Sequence, residues 1–490
     1  MWSYVGTFGT QLMSIVPAMI LARLLDPSQY GIIAMSAVFI GIAYQLADGG
    51  FGNALVQKDK ADDLDYNTVF YFNIGICGFI YAILFFCAPL IARFFNEPVL
   101  TAIVRVSSLG IIFLAFGQIQ SIIFKKNIEY KKPVTRGLIC QFVSIAVALV
   151  LAYTGWGVWA LVYQGLTYTL MSSVLNWFIS PWRPKLQFSM QRLRGLFRFG
   201  SKTLASSIID YGFNRGYDIV IGKFYSPAAL GLYNRADSTC SLFKSTFFGV
   251  FSRVTFPVFV KMQNDDERLR MNIRKFVIIS SMIIFVVMAT LMVMGHPLFT
   301  FLYGTKWYGS IPFFHIACII GMLYPIVSIL ESVILAKGYS GTFLMISIIR
   351  KIFVVVVLFV AWRFGIMWMM VGQACVSVIE IALYTRYTNR LVKYSFANLV
   401  TDLAPYFGVT ILIALAVWGA DIVAVFALSF TGLDISVAAL TRLLVSAVVA
   451  TVMSFGIYRA LKMKGYRELI EFLRDAMGDK KILRKLDVKA

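Results

Sequence analysis

Ile20 to Gly31 reads ILARLLDPSQYG, and two hundred positions later Val220 to Gly231 reads VIGKFYSPAALG. The stretches align without a gap: Arg23 answers Lys223, Pro27 answers Pro227, and Gly31 answers Gly231. In each, an apolar run ends at a basic residue, turns at a proline and resumes past a glycine. Proline suits a helix's first turn and not its interior, so the pattern predicts helix, tight turn, helix. Other landmarks recur at nearly the same offset: Pro89-Leu90 with Pro297-Leu298, and Gly157 with Gly365. The chain reads as two copies of one membrane module, a construction common among transporters.

Composition sets the class. Of 490 residues, 59% are hydrophobic and 14% charged, where a soluble domain carries roughly 25% charged residues. Runs of about 20 apolar residues, enough to cross a bilayer as a helix, recur along the chain. This is an all-α polytopic membrane protein with no room for a sizeable soluble domain. Helices are expected at roughly 1–25, 29–56, 66–95, 99–124, 134–154, 156–180, 197–224, 228–260, 273–303, 309–336, 340–362, 365–390, 403–430 and 436–460. The count is fourteen: a six-helix bundle in 1–195, its repeat in 196–395, an extra pair in 396–460, and a basic tail in 461–490. The first apolar run reads as the first helix, not as a cleavable signal.

Charge fixes the orientation. The chain has 45 Lys and Arg and a net charge of +21. Connections after odd-numbered helices hold only Arg93, Lys223, Lys306 and Arg363. The other cations outside the spans lie in even-numbered connections and in the tail from Arg459. The positive-inside rule then places those connections and both termini in the cytoplasm. The charge reports topology, with added attraction to anionic lipid, and calls for no nucleic acid. In the tail, Tyr466, Leu469, Ile470, Leu473 and Met477 keep helical spacing among charged residues, as an amphipathic surface helix would.

Several chemistries are excluded. Cys77, Cys87, Cys140, Cys240, Cys318 and Cys375 all lie in apolar runs without CxxC spacing, and His296 and His315 are the only histidines. Disulfide and zinc readings both fail. Gly195 to Thr203, GLFRFGSKT, misses the phosphate-loop pattern by one residue, because Ser201 is inserted before the lysine. Asp62-Asp63 and Asp265-Asp266 suggest a glycosyltransferase metal site, but both sit in short connections beside lysines and arginines and read as solvated faces. No outer connection is long enough for a catalytic domain. No catalytic residue, metal or cofactor is expected.

What remains is polar chemistry at membrane depth, where charges are costly and face a bundle interior or wet cavity. Asp210, Asn214 and Asp218 are spaced i, i+4, i+8, with Arg215 within reach of Asp218. Asp237, Ser241 and Lys244 share a face, and Arg235 precedes them. Arg350-Lys351 stand about ten residues into their helix, roughly 15 Å by helix rise. Glu331 and Glu380 lie in the tenth and twelfth spans. Lys244, Arg350 and Lys351 have no neutralising neighbour within their own spans. Asp48 is the main acid at depth in the first half, and Arg105 stands near the outer end of its helix. Arg23 and Lys223 read as cations reaching the outer interface. Trp156, Trp177, Trp307, Trp362 and Trp418 read as an interfacial belt.

ARLLDPSQYG at 22–31, DGGFGNALVQ at 48–57, YDIVIGKFYSPAALGLYNRA at 217–236 and FPVFVKMQNDDERLR at 256–270 resemble the polysaccharide transporter family. The resemblance covers nearly the whole chain. The type it is most similar to is the colanic-acid exporter, a lipid-linked oligosaccharide flippase of the multidrug/oligosaccharidyl-lipid/polysaccharide exporter superfamily. The resemblance implies two six-helix bundles forming a V, alternating access, and a cationic cavity for an isoprenoid pyrophosphate sugar. It implies a bacterial inner membrane, with membrane lipids, the lipid-linked oligosaccharide and glycan polymerase machinery as partners. Family members usually begin with a short basic segment, whereas here the first helix starts at Met1, which implies a truncated start. Under this reading Lys244, Arg350 and Lys351 bind the pyrophosphate, with Arg215 and Arg235 nearer the outer exit. Asp48, Asp218, Asp237 and Glu380 act in gating or ion pairs, Asp48 at the cytoplasmic gate. Two alternatives stand beside it: a multidrug/cation antiporter, which favours acidic cavities, and a non-transporting membrane scaffold of glycan assembly.

Overall fold

The structure, a computed structural model, describes residues 15–48, 50–58, 61–127, 129, 131–430 and 434–468; for residues 48, 53, 198–203 and 245–254 it describes the backbone alone. The helices of the first part are α1 (Ile15–Leu24), α2 (Pro27–Asp48), α3 (Phe51–Gln57), α4 (Asp63–Phe95), α5 (Leu100–Ser107), α6 (Leu109–Lys126), α7 (Lys131–Tyr153), α8 (Val158–Ile179), α9 (Met190–Asn214) and α10 (Gly216–Phe224). Then follow α11 (Pro227–Lys261), α12 (Asp266–Val293), α13 (Gly295–Leu302), α14 (Ile311–Ala336), α15 (Ser340–Ala361), α16 (Ile366–Val392), α17 (Phe396–Ser429) and α18 (Ile435–Ala460). Among the described residues, ten helical segments are long and apolar enough to cross a membrane. The protein is all-α and polytopic.

Four expected spans are interrupted. The break after α2 falls at Gly50, whose φ of 68° favours glycine. Ser108, Arg215 and Met294 separate the other pairs, α5–α6, α9–α10 and α12–α13. Apolar content continues across the breaks at Ser108 and Met294, which is why a hydropathy reading joins those pieces.

The internal echo has a structural counterpart. Pro27 opens α2 and Pro227 opens α11. Gly157 and Gly365 cap α8 and α16 with φ of 55° and 106°. The two motif copies also touch. A Cβ on Gly31 would overlap the Pro227 carbonyl, and a Cβ on Gly231 would overlap the Pro27 carbonyl. Each glycine thus admits the other copy's proline backbone. Gly31→Ala or Gly231→Ala should cost about 1–3 kcal/mol through overpacking, read as a lowered melting midpoint in detergent. Gly212→Ala is the control: a Cβ there meets nothing, so its midpoint should not fall. Equal midpoints for all three variants would refute the close contact.

Two compact units form, Met1–Asn234 and Arg235–Ala490. In the first, α3, α4, α6 and α9 bury Phe51, Leu55, Val69, Phe70, Ile119 and Leu196. Pro89 stands inside α4, and a helical proline leaves the carbonyl four residues back without its donor. That carbonyl is Phe85 O, and Arg105 Nε donates to it at 3.1 Å. The guanidinium also lies 4.3 Å from the Phe85 ring centroid. Arg105 therefore completes a helix that proline interrupts. Arg105→Ala should cost about 2 kcal/mol, the worth of a hydrogen bond with one charged partner; an unshifted melting midpoint would count against this role. Lys223, expected at the interface, donates to Phe94 O at 2.5 Å in the last turn of the same helix.

The aspartate pairs are caps and ion-pair partners, as their basic surroundings suggested. Asp62 caps α4, accepting from Asp65 N at 2.9 Å. This bond, with the nearby Arg192 and Lys58, holds its carboxyl below the usual carboxylate range. Asp63 pairs with Lys185 at 3.2 Å. Asp265 caps α12, accepting from Arg268 N at 3.0 Å, and Asp266 pairs with Lys337. Among the described residues no group of three or more His, Cys, Asp and Glu could hold a metal ion.

In the second unit α12 is central. One side packs Ile273, Phe276 and Val277 with residues of α14 and α16; the other packs Ile278, Met282 and Val286 with α17 and α18. The C-terminal pair, α17 and α18, is thereby fixed to α12. Arg274 Nε donates to Asp402 Oδ1 at 2.7 Å, and the Tyr394 hydroxyl donates to Asp402 Oδ2 at 3.2 Å. Burial pushes the Tyr394 phenol above its ordinary value. Arg442 makes two 2.7 Å hydrogen bonds to Asp421, joining α18 to α17. All six cysteines are free thiols. Of the tail, Tyr466 packs into the α12–α17–α18 core; Leu469, Ile470, Leu473 and Met477 lie outside the described residues.

Candidate functional site

The site in the second unit is assembled from four helices. α11 supplies Lys244, seventeen residues after its first residue, Pro227. α14 supplies Tyr324 and Glu331, seven apart and so on one face. α15 supplies Arg350, and α16 supplies Glu380. Lys244 Nζ lies 5.9 Å from the Tyr324 ring centroid, at the edge of cation–π reach. Arg350 Nη1 lies 3.7 Å from Glu380 Oε1. Glu331 and Tyr324 also feel the Arg350 charge.

Two features set the electrostatics. The Arg350 side chain is 41% exposed and its Glu380 partner 8%, so the cation is open to a ligand while the carboxylate is enclosed. At 3.7 Å the pair is looser than a charge-assisted hydrogen bond of about 2.7–2.9 Å. Lys244 makes no ion pair among the described residues. Lys351 follows Arg350 directly and is partly buried. The ion-pair partner of Arg350, Glu380, comes from the neighbouring helix α16.

The remaining predicted residues sit elsewhere. Arg215 belongs to the first unit and pairs with Asp218 at 2.9 Å. Asn234 Nδ2 donates to the other Asp218 oxygen at 3.1 Å. The break at Arg215 removes the single face expected of Asp210, Asn214 and Asp218: Asp210 and Asn214 are exposed and Asp218 is buried. Arg235 is buried, its guanidinium 4.7 Å from the Tyr303 ring and 4.8 Å from that of Trp307. Trp307 is itself fully buried. That corrects its place in the interfacial belt, because near a span end it stacks on an arginine. Trp156 and Trp418 are exposed, as that belt requires. Asp237 is half-buried and makes no ion pair among the described residues. Asp48 ends α2, and its side chain lies outside the described residues. Gly195 to Thr203 falls within the continuous helix α9, so no phosphate-cradling loop forms there.

Tyr324 was not singled out in the sequence. Its signal was available: it precedes the helix-internal Pro325 and stands two turns before Glu331.

A family profile described as "Polysaccharide biosynthesis protein" matches residues 20–312, more than half of the chain. The chain belongs to the polysaccharide biosynthesis protein family. Relatives of this family member include the lipopolysaccharide biosynthesis protein WzxC of Escherichia coli (strain K12), 27% identical over 69% of each chain. The teichuronic acid biosynthesis protein TuaB of Bacillus subtilis (strain 168) is 23% identical over 69% of this chain and 70% of its own. Among solved structures, the lipid II flippase MurJ in an inward closed conformation superimposes with a TM-score of 0.73. That match covers 94% of this chain and 99% of the flippase at 14% identity. An inward-facing multidrug transporter of the MOP superfamily gives 0.56 over 79% and 96% at 14% identity. At these identities the likeness is one of fold: this polysaccharide biosynthesis protein shares the fold of those two proteins.

Proposed function

We propose that the protein flips a lipid-linked, isoprenoid-pyrophosphate oligosaccharide repeat unit across the bacterial inner membrane by alternating access. The product would feed exopolysaccharide or O-antigen assembly, and the colanic-acid exporter is the type it fits. The observation that carries this reading is the pair of mid-helix cations in the second unit, Lys244 near Tyr324 and Arg350 beside Glu380. A pyrophosphate needs fixed cations in a poorly hydrated place, where charge-assisted hydrogen bonds are strong. Arg350 would exchange a 3.7 Å contact with Glu380 for closer phosphate oxygens, with Lys244 and Lys351 beside it. Arg215 and Arg235, both already engaged, would meet the cargo nearer the outer exit. Asp48, Asp218 and Asp237 serve gating or ion pairs, and glycan polymerase machinery takes the product.

The corresponding topology has fourteen crossings and both termini in the cytoplasm. It adds α1, α8, α9–α10 and α11 to the ten apolar segments. The domains are 1–195, 196–395, 396–460 and 461–490. The inside-negative potential would favour outward movement of the anion, by about 2.3 kcal/mol per charge per 100 mV.

The test is glycan analysis of a strain lacking the gene. Lipid-linked repeat units should accumulate on the inner leaflet and return to normal on complementation. Normal export without accumulation would refute the reading. Glu331 and Glu380 beside Arg350 favour, as a second reading, a multidrug/cation antiporter; that reading predicts drug sensitivity in the same strain with glycan export intact.

A further inference from the structure

The first unit contains a cavity of about 560 Å³ between α2, α7, α8 and the end of α5. That lies within the range of roughly 300–1,000 Å³ typical of small-ligand sites. Its described lining includes no Asp, Glu, Lys, Arg or His. It includes the amides of Gln141 and Gln164, the hydroxyl of Ser107, and the rings of Tyr30, Tyr44 and Tyr168. The Thr169 hydroxyl donates to Gly165 O at 2.9 Å. The two glutamine amides make no side-chain hydrogen bond among the described residues. Both side chains are partly exposed, and an amide without a protein partner there is met by water or ligand.

The polar set discriminates between ligand classes. A phosphate calls for cations and a cationic drug for carboxylates, and the described lining offers neither. A lipid chain gains nothing from two unengaged amides. A sugar residue carries hydroxyls that both donate and accept, which glutamine amides match in both directions. Its flat C–H faces suit tyrosine rings and the apolar wall of Ile33, Ile40 and Leu161. We propose that this cavity binds an uncharged sugar residue, the glycan head of the cargo, apart from the cations of the second unit. The identity of the sugar as cargo rests on the proposed flippase function; the binding itself does not.

Gly165 supplies the means of testing it. It lines the cavity, and a Cβ built on it meets nothing within 4 Å. A leucine there would enter the cavity, and leucine favours the helix over glycine. The experiment uses the full chain in lipid nanodiscs and saturation-transfer NMR. The probes are neutral di- and trisaccharides of hexoses, deoxyhexoses and N-acetylhexosamines, free of lipid and phosphate. At least one probe should receive saturation, and Gly165→Leu should reduce it at least fivefold with no fall in melting midpoint. Gln141→Leu/Gln164→Leu should reduce it similarly, and Lys244→Gln should leave it unchanged. Silence across the panel, or transfer that survives Gly165→Leu, overturns the proposal. So does transfer lost in Lys244→Gln and kept in the glutamine variant. If the panel is silent while the deletion strain accumulates lipid-linked glycan, the site is wrong and the flippase reading stands. If a probe binds as expected without such accumulation, the sugar site stands and the flippase reading falls.

Discussion

Arg350→Gln is expected to lower export of the lipid-linked glycan at least tenfold at unchanged protein abundance. Tenfold corresponds to about 1.4 kcal/mol, less than a charge-assisted phosphate contact contributes in a poorly hydrated site. Arg350 already stands opposite Glu380 at 3.7 Å with 41% of its side chain exposed, so it can turn to a ligand. Arg350→Lys should recover part of the loss, because lysine keeps the charge without the two-pronged geometry. Lys244→Gln should act in the same direction. Arg363, exposed in the connection between α15 and α16, provides the comparison, and Arg363→Gln should export normally. Flipping of a fluorescent isoprenoid-pyrophosphate sugar in proteoliposomes gives the readout. If Arg350→Gln and Arg363→Gln transport equally, these charges serve membrane orientation and not cargo.

Arg442→Ala should produce the largest loss of stability, about 3–5 kcal/mol, the usual result of orphaning one member of an enclosed pair. Both hydrogen bonds to Asp421 are 2.7 Å, and the carboxylate side chain is 12% exposed. In lipid the remaining charge would have little water to turn to. Replacing both, as Asp421→Leu/Arg442→Leu, should recover most of the loss, since no charge is left behind. Melting midpoints of the purified variants measure this. A double variant no better than Arg442→Ala would mean that the pair itself, not the orphaned charge, holds α17 to α18.

The helices were largely legible because an apolar run of bilayer length announces itself. α7, α8, α15, α16 and α18 begin and end within three residues of expectation. The breaks at Ser108 and Met294 were not, because apolar character carries through them. Arg105 illustrates a reading that was available and not made. Pro89 predicts a carbonyl at Phe85 lacking its donor, and a nearby cation is the natural supplier. Arg350–Glu380 and Lys244–Tyr324 were beyond reach, because each joins helices whose mutual rotation no periodicity specifies. Trp307 was placed by its distance from a span end, which says nothing about the arginine beneath it.

The reciprocal seating of Gly31 and Gly231 bears on how this chain can drift. What each glycine admits is a main-chain carbonyl, and every amino acid presents the same one. The junction therefore has no side-chain vocabulary. Ser28, Gln29 and Tyr30 have no likeness to Ala228, Ala229 and Leu230, and the two segments differ there at no cost to the fit. The same self-complementary arrangement leaves no route for compensation. A methyl gained at either glycine cannot be offset by trimming the opposite copy, because nothing on a carbonyl can be trimmed.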